Sequence, residues 1–97
     1  MTARLGGLVK SDQIGNTQPM LTSPQIRAAR ALLGWLQEDL AKKSKVGLAT
    51  IQRLEKGQNV VAAHVSTVIK LQSALEKAGI KFLAQDDAGG IGVRFKR

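Results

Sequence analysis

The side chains available for chemistry in this sequence are cations, amides and hydroxyls rather than nucleophiles. There is no cysteine, which removes thiolates, cysteine metal sites and disulfides. His64 is the only histidine, and no second ligand type stands beside it. It reads as a capping or surface residue. The carboxylates are scattered and show no nucleophile–base spacing. Gly89-Gly90-Ile91-Gly92 is no phosphate loop, because no helix follows to supply free amides. An enzyme is therefore not expected, and neither a metal nor a cofactor is. Gln52 and Arg53 stand out instead. A guanidinium can pair with guanine O6 and N7, and a carboxamide with adenine.

Charge points the same way. Fifteen Lys and Arg stand against seven Asp and Glu, a net charge of +8. A domain this basic attracts a polyanion such as nucleic acid. Ninety-seven residues make one small domain with a thin core, so a dimer interface would help to bury apolar surface. The aromatic residues are Trp35, Phe82 and Phe95, so Leu, Ile, Val and Ala must build the core. Trp35, between two short helices, belongs to it. The apolar run Leu5 to Val9 is too short for a signal-peptide core or a membrane span, and the chain reads as cytoplasmic with no membrane partner.

The elements that must position Gln52 and Arg53 follow from caps and periodicity. Residues 1–21 lack periodicity and read as a flexible arm. Thr22-Ser23-Pro24 starts helix one, from about Pro24 to Leu33, with Ile26, Ala29 and Leu33 inward and Gly34 at its end. Helix two spans about Gln37 to Lys43. Glu38 and Asp39 lie in its first turn and Lys42 and Lys43 in its last, which suits the helix dipole. After a break at Ser44 to Gly47, helix three runs from about Leu48 to Lys56. Ile51 and Leu54 are its buried pair, and Gly57 stops it. Helix four begins near Ala62 and carries Val65, Val68, Leu71, Leu75 and Ala78 at helical spacing up to Gly79. The period then changes to two. Ile80, Phe82 and Ala84, then Ile91, Val93 and Phe95, alternate around an Asp/Gly loop and predict a β-hairpin. The expected layout is an arm (1–21), a helical domain (22–79) and a C-terminal hairpin (80–97).

A turn of about four residues between helices two and three is too short for antiparallel stacking, so the helices must cross steeply. In that geometry the second helix can enter the DNA major groove. The stretch Gln37 to Gly57, QEDLAKKSKVGLATIQRLEKG, resembles the helix-turn-helix of the Cro/cI repressor-like (XRE) family. Gln37, Leu40, Ala41, Val46, Thr50, Ile51, Glu55 and Gly57 carry the likeness. Arg27 to Trp35, RAARALLGW, resembles the family's first helix, and the whole covers about residues 22 to 78. The expected fold is mainly α, a four-helix, lambda-repressor-like helix-turn-helix domain with a C-terminal β-hairpin. Two positions depart from the pattern. Lys45 stands where the turn usually has Gly, and a non-glycine residue at positive φ costs roughly 1 kcal/mol. Gly47 replaces the usual Ser or Thr cap of helix three, and Leu36 cannot cap helix two with its side chain.

Roles follow from docking geometry. The exposed N-terminal side of the third helix would face base edges, which selects Leu48, Ala49, Gln52 and Arg53. Leu48 and Ala49 would pack on thymine methyls. The resemblance implies a phosphate contact at Gln37, where the helix N-terminus favours anions. Lys43, Lys45, Thr50 and Lys56 surround the same surface as candidate phosphate partners. Arg30 and Glu55 resemble a family ion pair that holds the third helix in place.

An isolated hairpin is marginal in water, so its apolar face needs cover. Helix four is one answer. A second copy is the other, which makes Ile80, Phe82, Val93 and Phe95 the expected dimer interface. A homodimer suits DNA reading, since two third helices ~34 Å apart read a palindrome. The expected function is a transcriptional regulator, a repressor by default, that binds double-stranded DNA. The alternative is an antitoxin or similar module whose hairpin holds a protein partner.

Overall fold

In the computed structural model of the chain, residues 21–97 are described. The arm expected over 1–21 falls almost wholly outside them. Leu21 is the exception. It is buried at 1% exposure and its carbonyl accepts from Val61 N at 2.8 Å.

Four helices come first: α1 (Ser23–Leu33), α2 (Gln37–Ser44), α3 (Leu48–Glu55) and α4 (Val65–Lys77). Strands β1 (Ile80–Leu83) and β2 (Gly92–Phe95) follow as an antiparallel hairpin. The fold is thus mainly helical, four helices and a C-terminal hairpin.

Local chemistry explains the helix ends. At α1 the Thr22 hydroxyl accepts from Gln25 N at 3.3 Å, and Gln25 Oε1 accepts from Thr22 N at 3.0 Å. This reciprocal capping box satisfies two otherwise orphaned donors. Pro24 sits at the second helical position, where its missing N–H costs nothing. Gly34 ends the helix at φ 69, a left-handed conformation that suits glycine. Leu36 contributes no side-chain cap to α2, but the Asp39 carboxylate reaches back and accepts from Leu36 N at 2.8 Å.

The core is a set of aliphatic side chains: Leu21, Ile26, Ala29, Leu40, Val46, Ile51, Leu54, Val61, Val68, Leu71, Ala74, Leu75 and Ile80. Leu33 and Trp35 are partly buried and pack against it.

One helix boundary needs correction. The fourth helix starts at Val65, not near Ala62. Residues 59–61 are instead held extended against the start of α1, through Ser23 N to Asn59 O (3.0 Å) and Val61 N to Leu21 O (2.8 Å). Backbone fixed in this way cannot join a helix. Val65 is consequently exposed, and the buried stripe begins at Val68. Gly57 lies just past the end of α3 and has no positive φ. Its constraint is space: a Cβ there would lie 3.1 Å from the Ser23 hydroxyl.

The hairpin pairs Ile80 with Phe95, Lys81 with Arg94, Phe82 with Val93 and Leu83 with Gly92. At its tip, Asp86 Oδ1 accepts from Ala88 N (2.8 Å) and Gly89 N (3.1 Å), which closes the turn. The strands lie on α4 and also on α1. Gln25 Nε2 from α1 donates to Gly92 O at 3.0 Å. This corrects the expected dimer interface. Ile80 is fully buried inside its own chain, and Phe82 and Val93 pack on the same core. Only Phe95 of those four is exposed, at 43%. The apolar face is covered from within, and a second copy could meet only the hairpin's outer face and edges.

The turn between α2 and α3 passes through Lys45 at φ 61, the one non-glycine positive φ among the described residues. Lys45→Gly should raise stability by about 1 kcal/mol, read as a later urea midpoint at unchanged slope. Lys45→Ala should give no such gain. Equal shifts for both would attribute the effect to charge and contradict backbone strain.

Candidate nucleic-acid interface

The turn that joins α2 to α3 is pinned from below. Val46 is buried, and Ser44 Oγ donates to Leu40 O (2.7 Å) while accepting from Val46 N (3.2 Å). The chain therefore leaves α2 in one direction only, and α3 begins at Leu48 with Gly47 as an extended N-cap.

Helix α3 has eight residues, too few to be stable alone in water. Packing must hold it. Ile51 and Leu54 enter the core on its inner side. Its C-terminal carbonyls, which have no partner within the helix, are taken by α1. Ser23 Oγ donates to Leu54 O, and Arg27 donates through Nη1 to Glu55 O and to Gly57 O, the latter at 2.8 Å.

The Glu55 side chain is the other anchor. It is 4% exposed, and a buried carboxylate is tolerable only when paired and hydrogen-bonded. Arg30 supplies a two-pronged partner, Nε to Oε2 at 2.7 Å and Nη2 to Oε1 at 2.8 Å. Gln37 Nε2 donates to Oε1 at 3.1 Å. The remaining Arg30 donor, Nη1, reaches Trp35 O at 2.8 Å. Hydrogen bonding to Glu55 raises the Arg30 pKa above its ordinary value, against the lowering effect of partial burial. One carboxylate thus ties α1, α2 and α3 together.

The opposite side of α3 is free. Ala49, Gln52 and Arg53 are exposed, and Leu48 and Thr50 are half-buried. Lys43, Lys45 and Lys56 are exposed around them. Thr50 and Arg53 also line a shallow hollow with Ala62, Ala63, His64 and Thr67, between α3 and the start of α4. His64 is the N-cap residue of α4, though its side chain makes no capping bond. Gln37 differs from the other candidates, since its amide is already engaged with Glu55.

Ser23 and Arg27 were not singled out from sequence. Arg27 carries a readable signal, being three residues from Arg30 and so on the same helix face. Ser23 carries none beyond its place at the helix start. Among the described residues no group of His, Asp or Glu could hold a metal ion, and no helix is long and apolar enough to cross a membrane.

Two short helices joined by a tight turn and packed on each other, with the second exposed on its outer side, are the arrangement of a helix-turn-helix. The family model described as Helix-turn-helix matches residues 26–79, more than half of the chain. The chain belongs to the Cro/cI-like (XRE) helix-turn-helix family. No curated protein matches it. Proteins of this helix-turn-helix family bind DNA and regulate transcription, and this chain shares that broad function. Within it, α2 and α3 are the two helices of the motif, and the match ends at Gly79, just before the hairpin.

Arg30→Met should destabilise the fold by about 3 kcal/mol, because it strands a buried carboxylate. Adding Glu55→Gln should recover part of that loss, measured by urea unfolding as a double-mutant cycle. Strictly additive losses would contradict the coupling.

Proposed function

We propose that this chain is a transcriptional repressor that reads a palindromic operator as a homodimer, with α3 in the major groove. One observation carries the reading. The outer side of α3 presents Gln52 and Arg53 to solvent, while Glu55, Arg30 and Arg27 lock the helix from behind. A base reader needs this combination, because hydrogen-bond discrimination requires donors held in fixed positions.

On this reading Arg53 pairs with a guanine and Gln52 with an adenine, while Leu48 and Ala49 meet thymine methyls. Lys43, Lys45, Thr50 and Lys56 contact phosphates and set register. Gln37 places the N-terminus of α2 against the backbone, where free amides and the helix dipole favour an anion. The net charge of +8 supplies the long-range attraction. Repression needs only occupancy of the operator, and the groove-reading surface supplies that alone. A cytoplasmic protein is the reading in keeping with such a target.

The test compares two variants over a library of duplexes. Arg53→Ala should lose about 1–3 kcal/mol on the best site and relax preference at a single base pair. Lys43→Ala should weaken all duplexes about equally and lower the salt slope by about one. Arg53→Ala with the wild-type affinity profile would overturn the assignment of α3 as the reading element.

A further inference from the structure

The hairpin is a sheet of two strands, so the outer edge of each strand has no strand partner. β1 lies on α4 and β2 on α1, which makes β2 the outer strand. Lys96 N donates to Gly79 O at 2.8 Å, and this sets the alternation of the ladder. Lys81–Arg94 and Leu83–Gly92 are then the bonded pairs, while Val93 and Phe95 turn their N–H and C=O outward from β2. The Phe95 carbonyl agrees with this direction, since the exposed Arg94 guanidinium donates to it at 2.8 Å. Ile91 is next in the same alternation. Ile91, Val93 and Phe95 also share one face of the strand. Val93 packs on the core there, but Ile91 is 50% exposed and Phe95 43%.

The helix above this edge has a matching free side. Around α1, Gln25 points at the hairpin, Ile26 and Ala29 at the core, and Arg27 and Arg30 at α3. Ala28, Ala31 and Leu32 are exposed on the side that remains. At about 100° per residue that side adjoins the Gln25 direction and lies opposite the core, over the outer edge of β2. It carries no charge.

We propose that a second copy of this chain pairs with the outer edge of β2, antiparallel, with a dyad at Val93. Val93 of each copy exchanges two backbone hydrogen bonds with Val93 of the other. Ile91 of each faces Phe95 of the other, so the exposed apolar residues of the edge cover one another. Arg94 faces Gly92, and like charges never oppose. A dyad moved to Arg94 would set that residue against its own copy, and one moved to Gly92 would leave Phe95 opposite Gly89. The axis stands perpendicular to the joined sheet, so both α1 helices lie on one side of it with Ala28, Ala31 and Leu32 face to face. Small side chains let the helices approach, and an uncharged patch is what a chain of net charge +8 needs to meet its own copy. Arg27 and Arg30 face another way, which leaves α3 outside the contact. The inference rests on the homodimer reading above and specifies its surface.

Light scattering over a series of concentrations reads the dimer. Val93→Pro removes the outward N–H at the dyad, and an edge position tolerates proline because its own ladder loses no bond. Ala28→Glu puts a charge into the helix layer at an exposed helical position. Each should form a dimer at least about tenfold weaker than wild type, with an unchanged circular dichroism spectrum. Val65→Glu, on the exposed side of α4, should dimerise as wild type does. Should Val93→Pro lose the hairpin, Ala28→Glu carries the same test. Wild-type dimerisation by either folded variant, or loss of the dimer in Val65→Glu alone, would overturn this surface while leaving a dimer through another. Against a duplex library the weakened variants should still enrich a half-site, so failure of this surface and failure of α3 as the reader are told apart. A wild-type chain that is monomeric at all concentrations would remove the homodimer reading as well.

Discussion

The buried carboxylate of Glu55 is the point on which the motif turns. Its cost in a low-dielectric setting is met by three donors from two other helices, Arg30 Nε and Nη2 and Gln37 Nε2. Because the charge must be compensated, α1, α2 and α3 cannot drift apart without exposing or stranding it. Apolar contacts at Ile51 and Leu54 hold α3 down, but they are non-directional. The forked guanidinium is directional, and so fixes rotation and slide as well as distance. Arg27 and Ser23 add to this by taking the carbonyls that a short helix leaves open at its end.

Positional control of this kind has a local cost at the turn. Lys45 adopts φ 61 where glycine would be free of strain. Gly47 and Leu36 cap without side-chain bonds. Lys45 and Gly47 flank Val46, the core residue that fixes the path of the chain, and Leu36 lies at the start of α2. Packing and the Glu55 network override the unfavourable local choices, so the motif keeps its shape despite them.

Much of the helical part was legible in the sequence, because its signals are local. Thr22 caps, Gly34 terminates, and the period of the apolar residues marks the inner faces of α1 to α3. The hairpin was legible for the same reason, in its alternation and its Asp/Gly turn. What could not be read depends on partners remote in sequence. The late start of α4 comes from backbone bonds between residues 21–23 and 59–61. The role of Gly57 comes from Ser23 passing close by. The burial of Ile80 comes from the hairpin lying on both α1 and α4, with Gln25 reaching across to Gly92. At the candidate site, the exposure of Gln52 and Arg53 follows from helical period. The engagement of the Gln37 amide by Glu55 does not, since it is a contact between helices.

The account stands or falls on whether α3 reads base sequence. Selection of the purified protein against a randomised duplex library, at about 150 mM salt, tests this most directly. It predicts enrichment of an inverted repeat with half-sites about one helical turn apart. A library that stays flat, with binding that merely fades as salt rises, would reduce the interaction to phosphate attraction and contradict the reading of α3 as a recognition helix.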